Sequence, residues 1–103
     1  MLNFFRNLFK PKPAIDFQEL KKRGAFIIDV RTPGEYSSGH IKGSVNFPLN
    51  TLSSHLNKVP KNKPLITCCA SGMRSASAKS ILQSNGYTKV YNGGGWSSLQ
   101  NKI

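Results

Sequence analysis

The sequence predicts an α/β fold, a small parallel sheet of about five strands with helices on both faces. Three observations carry that reading. Short apolar runs alternate along the chain with segments of helical patterning. The runs Phe26-Ile27-Ile28 and Leu65-Ile66 are continuous, as in strands covered on both sides, and do not alternate apolar with polar. Residues able to do chemistry follow these runs, at the carboxyl ends where open α/β sheets gather their sites.

The chain starts with a separate unit, residues 1–13. At helical periodicity Leu2, Phe4, Phe5, Leu8 and Phe9 share one side, while Asn3, Arg6, Asn7 and Lys10 share the other. Pro11 and Pro13 end this amphipathic helix in a Pro/Lys linker. Arg6 interrupts the apolar run and lysines follow it, which argues against a cleaved signal peptide. The apolar side suits a patch of the domain, a partner, or an anionic membrane surface. So short a helix is a weak anchor alone, which puts packing first.

Residues 14–103 read as one domain. Ala14-Ile15 is expected as a very short edge strand. Asp16 caps the next helix, with Glu19 completing a capping box, Phe17 and Leu20 inward, and Gly24 as the stop. After the strand Phe26-Ile28, Thr32 and Pro33 occupy favourable N-cap and N1 positions of a short helix with Glu35 at N3. Val45-Asn46-Phe47 is a strand closed by Pro48, and Leu52, Leu56 and Val59 form the apolar face of another small helix. His40 reads as a loop staple and His55 as inert. The central strand is Leu65–Cys68, followed by a helix over Ala76–Leu82 stopped by Asn85-Gly86. Thr88–Tyr91 is the last strand, Gly93-Gly94-Gly95 follows its end, and Trp96 and Leu99 pack a terminal helix.

Between the central strand and its helix lies Cys69-Ala70-Ser71-Gly72-Met73-Arg74-Ser75. Unpaired N–H groups at a helix start, with an arginine nearby, favour a thiolate over a thiol and hold anions. A lone cysteine ending an apolar strand is more often inert; the glycine, arginine and serines in so short a span raise this one to a candidate nucleophile. Cys68 and Cys69 are neighbours, so no disulfide framework is possible. They point opposite ways on a strand without spaced ligands, which argues against a metal site.

Fifteen Lys and Arg against four acids give a formal charge of +11. The basic residues are scattered and match no nucleic-acid module, so no nucleic-acid partner is expected. Their field raises the local concentration of small anions and acidic partners. Free cysteines suit a reducing, cytoplasmic setting.

With these pieces in place, the chain resembles the single-domain rhodanese family of sulfurtransferases. The resemblance rests on Ile28-Asp29-Val30-Arg31-Thr32-Pro33-Gly34-Glu35-Tyr36, on Gly39-His40-Ile41-Lys42-Gly43-Ser44 with Asn46 and Pro48, on Cys69–Ser75, and on Gly93-Gly94 with Trp96. It spans about Ile15 to Leu99 and leaves out the amphipathic start. It implies that Cys69 takes a sulfane sulfur from thiosulfate or a persulfide donor and yields it to a thiol or cyanide acceptor. Ala70, Ser71, Gly72, Met73 and Ser75 would surround the persulfide with backbone N–H groups, and Arg74 would brace the loop or meet the donor. Asp29 would hold the loop from beneath, and Arg31 with Glu35 would form a structural ion pair. No metal or organic cofactor is implied, and a monomer acting on a small anionic donor and a thiol acceptor, including a thiol-carrying protein, is expected.

Related phosphatases and arsenate reductases carry one residue more between cysteine and arginine than the four here, Ala70 to Met73. The smaller cradle suits a persulfide better than phosphate. Members proficient with thiosulfate often have extra basic residues inside the loop, where this chain has Ala70 and Met73, which moves the expected donor toward a persulfide. Cys68 occupies a site that is often aromatic and reads as core. The alternative is a weakly active or inactive binding or regulatory module, with the amphipathic start as its docking helix.

Overall fold

A computed structural model describes residues 14–103, and the amphipathic helix and linker expected over 1–13 lie outside the described residues. Strands β1 (Phe26–Asp29), β2 (Val45–Asn46), β3 (Leu65–Cys69) and β4 (Val90–Gly95) form one sheet in the order β2-β1-β3-β4. Every pairing is parallel. The helices are α1 (Phe17–Lys22), α2 (Pro33–Ser38), α3 (Met73–Ser84) and α4 (Trp96–Gln100), with a 3₁₀ segment at Leu49–Lys58.

The helices do cover both faces. On one side Ile28, Leu65 and Val90 pack with Leu52 of the 3₁₀ segment and Ala78 and Leu82 of α3. On the other, Ile27, Ile66 and Cys68 pack with Phe17 and Leu20 of α1 and Leu99 of α4. Side chains alternate across a strand, so the two adjacent cysteines of β3 enter different cores. Both layers are apolar, and burial at about 25 cal/mol per Å² holds them to the sheet.

The sheet has four strands, one fewer than the sequence suggested, because Ala14-Ile15 forms none. Ile15 is 45% exposed, so burial adds nothing to so brief a pairing. The equally short β2 is held from within, where the Asn46 side-chain amide donates to the Asp29 and Arg31 carbonyls at 3.0 and 2.9 Å. The capping box of α1 is half formed. Asp16 accepts from the Glu19 N–H at 3.1 Å, but the Glu19 carboxylate turns to Arg23 at 3.2 Å. At α2 the Thr32–Glu35 box is complete.

The glycine run lies inside β4, where the sequence placed it after the strand. A Cβ on Gly93 would stand 2.7 Å from Leu99 Cδ2 and 2.9 Å from both Ile66 Cγ2 and the Thr67 carbonyl oxygen. Bare glycine lets β4 and α4 close on β3. Gly93→Ala is therefore expected to destabilise by about 2–3 kcal/mol through overpacking. Urea denaturation checks this, and a midpoint unchanged from wild type would show that the layers shift apart freely.

Candidate active site

β3 ends on Cys69, and the chain turns through Ala70–Gly72 into α3. Gly72 caps that helix at φ 105°, a left-handed conformation that suits glycine. The helix begins at Met73, three residues earlier than its apolar pattern suggests. No side chain caps it. The sulfur takes that place: Gly72 N–H donates to Cys69 Sγ at 2.9 Å and Ser75 N–H at 3.4 Å. The Ser75 oxygen lies 3.5 Å from the same sulfur.

These donors decide the state of the thiol. Burial pushes it up, and the Ser75 hydroxyl with the Ser75, Gly72 and Ser71 N–H groups pulls it down by more. The result is a pKa below that of an ordinary thiol. Cys68, without such donors, is raised to about 12 by burial first and by Asp29 second. One sulfur of the pair is prepared to ionise and the other is core. Cys69 is 1% exposed, while Ala70, Ser71 and Met73 around the turn are exposed.

Arg74 is engaged by the Glu35 carboxylate, with its two terminal nitrogens at 2.7 and 3.0 Å from the two oxygens. Glu35 also accepts from the Thr32 N–H at 3.1 Å. Arg74 first, then Thr32, holds the Glu35 carboxyl down to about 2. The expected Arg31–Glu35 ion pair is therefore corrected. Arg31 reaches Glu35 only at its backbone carbonyl, 3.2 Å away. Its guanidinium binds Asp29 instead, at 2.7 Å from Oδ2 and 2.9 Å from Oδ1, and lies 4.8 Å from the Trp96 ring centroid. The pairing follows from position: Asp29 is buried two residues away, whereas Glu35 is drawn outward by Thr32 and Arg74. Asp29 is corrected with it. Its carboxylate is taken up by Arg31 side chain and backbone and not by the cysteine loop.

The depressed Glu35 pKa has a testable sign. A carboxyl at about 2 in the fold against an ordinary 4.5 stabilises above pH 4.5, and that contribution disappears as pH falls through 2. Glu35→Gln is expected to lower the melting temperature at pH 7 and to flatten its fall between pH 4.5 and 2. Equal acid profiles for the two proteins would remove the pair from the stability of the loop.

Asn92 was not legible as a site residue, since an asparagine before glycines reads as turn chemistry. From β4 its Oδ1 accepts from the Gly94 N–H at 2.9 Å and from the Ser75 hydroxyl at 2.6 Å. His40 and His55 are satisfied locally, stacked on Tyr36 and Phe47. An open cleft of about 280 Å³ beside Arg74 is lined by Val30, Thr32, Pro48, Leu49 and Asn50. Among the described residues no group of three or more His, Cys, Asp or Glu is placed to hold a metal ion, and no helix is long and apolar enough to cross a membrane.

Known proteins are similar to this chain in sequence and in structure. A thiosulfate sulfurtransferase (GlpE) of Pseudomonas syringae is 34% identical over 83 residues, covering 81% of this chain and 78% of its own length. A Bacillus subtilis protein, YqhL, described as uncharacterized, is 40% identical over 82 residues, covering 79% of this chain, which spans only 65% of that relative. Among solved structures, an Escherichia coli rhodanese with anions aligns at TM-score 0.68 and 37% identity, over 72% of this chain and 89% of its own. The human single-domain sulfurtransferase TSTD1 aligns at TM-score 0.73 and 26% identity, over 90% and 99%. The rhodanese-like domain model matches residues 14–102, nearly all of the described chain, and with the identities above it establishes that the chain belongs to the rhodanese-like family.

Proposed function

We propose that this protein is a sulfurtransferase that carries sulfane sulfur as a persulfide on Cys69. The observation that carries the reading is the sulfur at the α3 N-terminus, receiving two backbone N–H groups and titrating below an ordinary thiol. The Cys69 thiolate attacks the outer sulfur of a donor. The new S–S bond takes up the attacking pair, and the old bond breaks with its pair on the leaving group, sulfite from thiosulfate or a thiolate from a persulfide. An acceptor thiolate or cyanide then attacks the outer sulfur, and Cys69 leaves as a thiolate again. The names of the Pseudomonas and human relatives support the same chemistry.

The donor reading favours a persulfide over thiosulfate. Arg74 is already neutralised by Glu35, and the loop adds no other cation, so a dianion finds little fixed charge at the sulfur. The low exposure of Cys69 favours a slim donor. The acceptor is a small thiol or a thiol-carrying protein, and two free cysteines fit a reducing compartment.

Intact-mass measurement after brief exposure to thiosulfate, and separately to a low-molecular-weight persulfide, tests the proposal. A gain of about 32 Da, discharged by thiol or cyanide, is expected, and larger with the persulfide. No gain with either donor would overturn the enzyme reading and bring forward a binding module.

A further inference from the structure

The Ser75 hydroxyl has one proton and three neighbours that compete for it. Its oxygen lies 2.6 Å from Asn92 Oδ1, 3.0 Å from the Gly72 carbonyl oxygen and 3.5 Å from Cys69 Sγ. The orientation of the Asn92 amide is settled by the Gly94 N–H, which can only donate, and to Oδ1. The other end of the amide, Nδ2, faces the Gly72 carbonyl at 3.4 Å. At 2.6 Å from an amide oxygen, the hydroxyl has to be the donor. Its lone pairs then face the sulfur, which suits a thiol S–H. A thiolate at the same place needs the opposite arrangement, with the hydroxyl turned to donate. That turn leaves nothing buried without a partner, because Oδ1 keeps the Gly94 N–H.

We propose that Asn92 and Ser75 form a hydrogen-bond switch that follows the charge on Cys69 Sγ. With Sγ uncharged, as a thiol or the inner sulfur of a persulfide, Asn92 holds the hydroxyl. With Sγ a thiolate, before attack and again as the leaving group, the hydroxyl donates to sulfur. Asn92 is thus a positioning residue that acts through Ser75. The persulfide half rests on the sulfurtransferase reading. The thiol–thiolate half does not.

Other charges bear on the same sulfur. Arg74 of α3 is paired with Glu35 of α2, and Asp29 at the end of β1 is paired with Arg31. Cys68 precedes it on β3 and faces the opposite core. β4 carries no Asp, Glu, Lys, Arg or His, and its Tyr91 packs on the Cys68 side. None of these groups touches the Ser75 hydroxyl, so a substitution cycle at 75 and 92 isolates it.

The rate of Cys69 alkylation by iodoacetamide as a function of pH is the test, with Cys69→Ser giving the Cys68 background. It needs no sulfur donor, so it reads the switch even if sulfur transfer fails. Ser75→Ala is expected to slow alkylation below the thiol pKa about fivefold, by removing a donor to the thiolate. Asn92→Asp keeps the shape and grips the hydroxyl more strongly while adding charge. It is expected to slow alkylation about tenfold with Ser75 present and only about threefold in the Ser75→Ala background. Asn92→Ala, the second variant should the Asn92→Asp change disturb folding, releases the hydroxyl. It is expected to speed alkylation about threefold with Ser75 and not at all without it. Equal effects of the Asn92 substitutions in both backgrounds, or an unmoved profile in Ser75→Ala, would overturn the proposal.

Discussion

Cys69→Ser is expected to take up no sulfur from either donor, a loss of more than about a thousandfold in transfer rate with the fold intact. Serine keeps nearly the shape of the thiol, and its oxygen can accept from the Gly72 and Ser75 N–H groups that now reach Sγ. What it lacks is ionisation. An aliphatic hydroxyl is not brought into reach of neutral pH by two or three N–H groups, and it forms no persulfide. Intact mass shows the loss directly, and thermal melting shows that the protein is otherwise whole. Uptake by the serine variant would move the sulfur carrier to Cys68. That residue is held to about 12 by burial and faces the core packed with Phe17 and Leu99, so no such uptake is expected.

Asp29→Ala is expected to cost about 3–5 kcal/mol, the effect of breaking a buried ion pair from one side. Asp29 is 0% exposed and Arg31 is 4% exposed. The carboxylate takes three side-chain contacts from the guanidinium and one from the Arg31 N–H. Removing it leaves a buried cation whose remaining partners are the Gly39 carbonyl at 2.6 Å, the Glu35 carbonyl at 3.2 Å and the Trp96 ring. For a domain of this size the loss corresponds to about 15–25 °C in melting temperature. Against a total of roughly 5–15 kcal/mol, it removes a large share of the stability. The Arg74–Glu35 pair makes a similar contact at 36% exposure of each side chain, where water screens it, and losing it is expected to cost far less than losing Asp29. Urea titration of both variants separates them. A loss under about 1 kcal/mol for Asp29→Ala would mean that the guanidinium escapes to solvent when unpaired.

The helix caps and the cysteine loop were legible because they are local. Thr32 and Glu35 are three residues apart, and the whole Cys69–Ser75 turn fits between one strand and one helix. The start of α3 was misplaced for a related reason. Apolar patterning shows only where the helix has apolar side chains to bury, as at Ala78 and Leu82, whereas the helix begins where the backbone first turns, and neither Met73 nor Arg74 is buried. The two-layer core was legible in the same way, from continuous apolar strands and the alternation of Cys68 and Cys69.

An α/β fold with helices on both faces, and a cysteine turn facing a helix N-terminus, are readable from neighbours in the chain alone. Which acid meets which arginine depends instead on how the sheet and helices pack. Glu35 finds Arg74 across 39 residues, and nothing in the local pattern of either announces the other. Packing also decides that Ala14-Ile15 stays out of the sheet, that the glycine run lies within β4, and that Asn92 reaches Ser75 across 17 residues. Parallel strands bring distant residues side by side, and the partner of a charged or hydroxyl group is then set by which acceptor is nearest and most buried.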